Sequence, residues 1–361
     1  MRIEFTTTTL SVGPLMSIDP PSVEPKPGDP TPPGEPTQPR PTDDRTPAPL
    51  SSPSADLAPA TAADDAPPLT PQLPPVGRPW ITVLTIAICV GVFFGLNSQP
   101  DPESWEAMSK FGVLPAGEIW DGGYWALVCS AFAHVHLWHV GLNLYWLWIF
   151  GAPLERAIGS IRFLAFFLVA AAVSSAYQLA FSDSTGIGAS GVLYAMFGFL
   201  WWGRDASPEF AKALSGQTSQ YLFIWLFVCL IATWTGQWQI GNAAHFSGLL
   251  FGIAVAAAFV VPGAARTGKV AVAGLAAAAI VPLFWAPWSV SWLGYHAYKA
   301  HAAERYDEAY ELYSQVIERA PESAWAHLNR SYVNEALGEP ERARVDRQIA
   351  LSLDPTIEQQ P

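Results

Sequence analysis

Seven apolar stretches follow one another between residues 80 and 287, over approximately 80–96, 137–154, 163–181, 187–202, 221–234, 242–261 and 270–287. Each approaches the ~20 helical residues that cross a hydrocarbon core. Lipid offers no partner to backbone N–H and C=O groups, so such stretches fold as helices that close their own hydrogen bonds. The expected fold is all-α, a polytopic transmembrane helical bundle of about seven spans. Only 14% of the residues are charged and 50% are apolar, against about 25% charged in ordinary soluble domains. The fourth to sixth stretches contain Gly, Ser, Asn and His, which a bundle interior tolerates and lipid penalises, so these helices are expected at the centre.

The flanks read differently. Residues 17–77 are dominated by Pro, Asp, Thr and Ala, with too little apolar surface to offset chain entropy. We read 1–78 as a disordered Pro/acid-rich tail. Residues 1–15 hold one Arg, a Thr run and no continuous apolar core, so they are not read as a secretory signal and the tail is expected to stay on the mature protein. Beyond the membrane block 79–288, residues 289–361 turn amphipathic and charged. Ala309 recurs as Ala343 and Pro321 as Pro355, both 34 residues apart, the tetratricopeptide period. Residues 304–321 resemble the second helix of that repeat closely and 325–355 less well. A charged amphipathic hairpin without repeat ancestry is the other reading.

The net charge of −12 divides into −5 over 1–78 (ten acidic, five basic), −2 over 79–288 (nine, seven) and −5 over 289–361 (twelve, seven). Nucleic acid is not an expected partner. Cys89, Cys129 and Cys229 lie in or beside apolar stretches without CxxC spacing, and are read as packing residues. Six of the seven Lys and Arg in the membrane block fall in alternate loops: Arg156 and Arg162, Arg204 and Lys212, Arg266 and Lys269. Lys and Arg accumulate in cytoplasmic loops, so those loops are expected inside and the others, including 97–136 with the dissenting Lys110, outside. Seven spans then put the amino terminus in the cytoplasm and the carboxyl terminus across the membrane.

Chemistry concentrates in three places. Gly188-Ala189-Ser190-Gly191 opens the fourth stretch with a hydroxyl among small neighbours, although small-residue clusters more often mark helix packing. Asn242-Ala243-Ala244-His245-Phe246-Ser247-Gly248 opens the sixth. A histidine inside a bundle is costly unless paired or used, and Ser190 at matching depth offers a partner. Together they resemble a nucleophile and the base that takes its proton. The acidic residues nearest in sequence, Asp183 and Asp205, lie in loops, so a dyad is the economical reading. Tyr194, four residues after Ser190 on the same helix face, can pack its ring on His245. The third place, residues 134–143, enters the second stretch. There His139 and Asn143 share a helical face and can donate, with the Ser190 N–H, to a developing oxyanion. Polar residues meeting interfacial water are the plainer reading of this segment. Glu155 to Gly159, at the far end of the second stretch, are read as structural.

The order HxxxxHxxxN, GxSG and AHxxG on the second, fourth and sixth stretches resembles the rhomboid family of intramembrane serine proteases over roughly 80–262. The resemblance implies a rhomboid-like bundle in which Ser190 is the nucleophile, His245 the base, and His139 and Asn143 the oxyanion donors. His134 would have a structural or gating role, with Gly188, Gly191 and Gly248 supporting, Gly248 as the close-packing residue. The implied reaction is hydrolysis of a peptide bond in or beside a substrate's transmembrane segment, through an acyl-enzyme and without a cofactor. Small residues at the cut and a locally unstable helix would mark the substrate. Expected partners are transmembrane proteins, the lipid bilayer, and a protein or second copy held by the carboxyl-terminal repeats. The expected location is multi-pass in a bacterial plasma membrane. The seventh span resembles the family's extended form. Where many members carry Trp-Arg in the first outer loop, this chain has Trp125-Ala126, which puts the anchoring of that loop in question. Two rivals remain: a metal enzyme using His134, His136, His139 and His245, and a non-catalytic rhomboid-like binder of membrane proteins.

Overall fold

Local hydrophobicity resolves into sixteen helices in a computed structural model that describes residues 77–182 and 184–359. The tail expected over 1–78 lies outside these but for its last two residues, as does Asp183. In chain order the helices are α1 (Trp80–Asn97), α2 (Trp105–Ser109), α3 (Ala116–Trp120), α4 (Ala126–Cys129), α5 (Leu137–Trp146), α6 (Ala152–Ile158), α7 (Ser160–Phe181), α8 (Ser190–Trp202), α9 (Pro208–Ala213), α10 (Gly216–Trp234), α11 (Asn242–Phe259), α12 (Ala265–Phe284), α13 (Val290–Ala302), α14 (Tyr306–Arg319), α15 (Ala324–Ala336) and α16 (Pro340–Leu353). No strand occurs among the described residues.

Five helices, α1, α7, α10, α11 and α12, are long and apolar enough to cross a membrane. Helix α8, apolar but shorter, has 13 residues. The second expected stretch runs without a break from α5 through a π-helical turn, Leu147–Gly151, into α6. The protein is a polytopic transmembrane bundle, and α8 is its axis: every residue from Gly191 to Leu200 is buried. Its partner α11 comes almost into backbone contact. A Cβ on Gly248 would stand 2.1 Å from the Gly191 carbonyl oxygen, and one on Gly252 1.8 Å from that of Ala195. Only small residues permit such an approach. By contrast α10 keeps Ile224, Phe227, Ile231 and Trp234 bare, the face a lipid-exposed span presents.

Glu155, read from sequence as structural, proves to be the joint between α6, α7 and α1. Its buried carboxylate accepts hydrogen bonds from the N–H groups of Ile81 (2.9 Å) and Thr82 (2.8 Å), from Thr82 Oγ1 (2.7 Å) and from Ser160 Oγ (2.6 Å). The first N–H groups of a helix have no intrahelical acceptor, and the positive end of the α1 dipole favours an anion there.

The loop 98–136, expected from the sequence as an outer loop, folds as α2 to α4. Ala126 is fully buried, so this chain has no room there for the arginine that the resemblance suggests. Trp120 anchors the loop instead, donating from Nε1 to the Pro282 carbonyl in α12 (3.1 Å). Of the three cysteines, Cys89 and Cys229 are buried, and the half-buried Cys129 packs against Gly112.

Helices α13 to α16 follow as a series in which neighbours pack on one another, and α13 to α15 share a core of Ala297, Ala300, Ala309, Tyr313 and Val333. Within it the buried Asp346 accepts from Arg330 Nε (2.8 Å) and Asn334 Nδ2 (3.0 Å). Helix α13 also reaches the outer loop. Tyr295 packs on Trp120 (ring centroids 5.4 Å apart) and donates its hydroxyl to Asp121, whose Oδ1 also accepts from Lys299 Nζ at 3.0 Å.

Candidate active site

The chain turns into α8 through Gly188, whose φ of +103° only glycine adopts without strain. Its N–H donates to the Ser130 carbonyl (2.9 Å). This turn delays the helix from the expected residue 187 to Ser190, which becomes its first residue and leaves the hydroxyl half-buried rather than enclosed. Helix α11 carries His245 in its first turn, and Nε2 stands 2.8 Å from Ser190 Oγ. The glycine seam sets that distance: any side chain at Gly248 would push α11 away from Gly191, one residue beyond the serine.

His245 is buried, and its Nδ1 has no hydrogen-bond partner among the described residues. The imidazole instead lies against Tyr194, with ring centroids 4.7 Å apart and planes at 34°. The Tyr194 hydroxyl donates to the Leu222 carbonyl in α10 (3.2 Å), so the ring beneath the histidine is itself held.

On the other side of Ser190 stands the start of α5. A Cβ on Gly188 would meet His139 Nε2 at 2.7 Å and His134 Nε2 at 3.3 Å. Those two imidazoles touch edge to face, 4.9 Å apart, and His134 Nδ1 faces the Phe132 carbonyl at 3.2 Å. Asn143 lies one turn along α5 from His139, buried, with Nδ2 donating to the His139 carbonyl (2.8 Å). An amide nitrogen has two hydrogens, so one remains for another acceptor.

The structure thus gathers Ser190, His245, Tyr194, His139, His134, Gly188, Gly191 and Gly248 around one point, with Asn143 next along α5. His136 is not among them. It is exposed and faces Glu103, with 3.6 Å between Nε2 and Oε1. Among the described residues no three His, Cys, Asp or Glu side chains converge on a common point where a metal ion could bind.

Sequence reasoning missed Gln178, in the last turn of α7. Its Oε1 accepts from the Ala244 N–H (3.2 Å), and so caps α11 immediately before His245. A glutamine inside an otherwise apolar stretch was the available signal. Ser174 was missed too: it fills the space beside Gly191, where a Cβ would fall 2.6 Å from its Oγ.

A serine hydroxyl in hydrogen-bond reach of an imidazole, with further donors beside it, is an arrangement for nucleophilic attack on a carbonyl. The chain is also similar to known proteins. Residues 121–262 match the Rhomboid domain family. The chain is 33% identical over 176 residues to the rhomboid protease GlpG of Yersinia pseudotuberculosis serotype I (strain IP32953), covering 49% of this chain and 61% of that protein. It is 29% identical over 177 residues to the GlpG of Enterobacter sp. (strain 638), covering 48% and 61%. For the GlpG of Serratia proteamaculans (strain 568) the identity is 36% over 132 residues, covering 37% and 47%. The chain thus spans at most 61% of the length of these relatives.

Proposed function

We propose that the chain is a rhomboid-type intramembrane serine endopeptidase that cleaves transmembrane proteins in or beside their membrane segments. The observation that carries this reading is the 2.8 Å approach of Ser190 Oγ to His245 Nε2 at the buried junction of α8 and α11. Attack of Oγ on a peptide carbonyl forms the C–O bond as Nε2 takes the serine proton. The negative charge on the former carbonyl oxygen would be met by the Ser190 N–H, His139 and the free hydrogen of Asn143. His245 then returns the proton to the leaving amine, and water hydrolyses the ester by the same steps in reverse. No carboxylate takes part; Tyr194 orients the imidazole by packing.

In this reading 79–288 is the protease domain and 289–361 a tetratricopeptide-like module, open to a protein partner or a second copy. The basic loops face the cytoplasm of a bacterial cell, and the module lies across the membrane. A reporter fused after Pro361 and active only outside the cytoplasm tests that orientation.

The reaction is tested on the purified full chain in vesicles containing a transmembrane peptide substrate, with a fluorophosphonate as a second readout. The wild type should cleave the peptide and take the label on Ser190. Ser190→Ala and His245→Ala should each abolish turnover, and the double variant should be hardly worse, because residues acting as one unit are not additive. Turnover by Ser190→Ala would end the reading, and peptide binding without labelling of the wild type would favour a non-catalytic binder.

A further inference from the structure

The end of the bundle opposite Ser190 holds a cleft of about 490 Å³ between α5–α6 and α9–α10. Its walls are apolar and aromatic, with Tyr145, Trp148 and Ile149 on the α5 side, and Arg156 and Lys212 stand at its mouth. Both cations are exposed, and neither forms a hydrogen bond or ion pair with a described residue. Glu209 is also on the rim; its carboxylate accepts from Ser207 Oγ at 2.5 Å and is near enough to Lys212 for the two charges to attract. Tyr145, Trp148 and Ile149 lie on or beside the π-helical turn Leu147–Gly151, an irregularity found frequently at functional sites.

We propose that this cleft is a binding site for one anionic phospholipid, its phosphate between Arg156 and Lys212 and an acyl chain along Tyr145, Trp148 and Ile149. Charge complementarity selects the occupant. Two exposed cations against a single carboxylate, beside an apolar groove, suit a molecule with an anionic head and a hydrocarbon tail, and basic pockets between spans on the cytoplasmic side bind such headgroups. Tyr and Trp rings are favoured where headgroup and hydrocarbon meet. The site is separate from Ser190 and does not depend on the proteolytic reading.

The test uses the full chain in mild detergent, titrated with dioctanoyl phosphatidylglycerol or dioctanoyl phosphatidylcholine and read by native mass spectrometry. One phosphatidylglycerol should bind about tenfold or more tighter than phosphatidylcholine. Arg156→Gln with Lys212→Gln should remove that preference. The matched pair Arg266→Gln with Lys269→Gln, exposed and at the same end of the bundle, should keep it. Equal loss in both pairs would mean diffuse surface charge rather than a site, and an unchanged preference in the first pair would place the lipid elsewhere; either overturns the proposal. Glycerol phosphate, the headgroup without a tail, should not compete at equal concentration. If it does, the cleft takes a soluble phosphate ester and the lipid assignment fails.

Discussion

Among the described residues His245 makes one hydrogen bond through its ring, at Nε2, and is otherwise held by the face of Tyr194. Two substitutions at Tyr194 therefore separate packing from hydrogen bonding. Tyr194→Phe keeps the ring and loses only the bond to the Leu222 carbonyl, so kcat should stay within a few-fold. Tyr194→Ala leaves the imidazole unsupported and opens a cavity costing about 3–5 kcal/mol, so kcat should fall at least tenfold and the unfolding temperature should drop. Equal kcat in the two variants would mean that the ring does not position the base. On the oxyanion side, loss of one donor costs about 10²–10³ in rate, so Asn143→Ala and His139→Ala should each lower turnover by that order in folded protein. Full activity in both would shift the oxyanion to other donors. Ser190, His245, His139 and Asn143 were legible in the sequence because each sits at a fixed spacing inside an apolar run where polarity needs a reason. Gln178 was not singled out, because its role depends on the Ala244 N–H 66 positions away, and no local pattern carries that distance.

At the scale of elements, all seven apolar stretches became helical segments, and five of them have the length and polarity that lipid imposes on a crossing segment. Their ends were less legible in the sequence. The π-helical turn between α5 and α6 has no signature in hydropathy, and the start of α8 is set by the positive φ of Gly188 rather than by where apolar residues begin. The weight of Glu155 was invisible for a similar reason, since its partners Ile81 and Thr82 lie on another span. Glu155→Ala leaves two N–H groups and two hydroxyls without their charged acceptor. A lost bond to a charged group costs about 1.5–3 kcal/mol, so we expect a loss of at least ~3 kcal/mol, seen as lowered thermal stability in detergent, with Glu155→Gln intermediate. Gly248→Ala acts on the other joint. Its methyl would overlap the Gly191 carbonyl, so α11 must move and carry His245 away from Ser190. Fluorophosphonate labelling should fall together with stability, and a variant with normal labelling would show that the seam yields without moving the dyad.

Across the whole molecule, the carboxyl-terminal helices sit at the Ser190 end of the bundle, because α13 grips the outer loop that leads through Ser130 and His134 to Gly188. The contact rests on Tyr295 and Lys299, which no repeat pattern singles out. Burial pushes the Asp121 carboxyl up, but hydrogen bonds from Tyr295 and Lys299 and the Lys299 charge outweigh it and hold the group below its ordinary value. A depressed carboxyl contributes stability above the unfolded value of about 3.9, and loses it as pH falls through the lower folded value. The clamp should therefore be constant from pH 8 to 5 and loosen only below about pH 4. Spin labels on the exposed Glu118 and Ala302, in a Cys129→Ser chain, should give one narrow distance distribution across the upper range and a broad one at pH 3. Asp121→Asn should broaden it at every pH, and a narrow distribution in that variant would assign the docking to ring packing alone. Deleting 291–361 removes the clamp but leaves Trp120 bonded to Pro282, so the outer loop keeps its anchor on α12. Cleavage of a minimal transmembrane peptide should largely survive that deletion, while cleavage of substrates with a folded outer portion, or the oligomeric state, should change. Loss of peptide cleavage by the truncated but folded chain would mean that α13 holds the outer loop in its working position, a larger part than a module for partners requires.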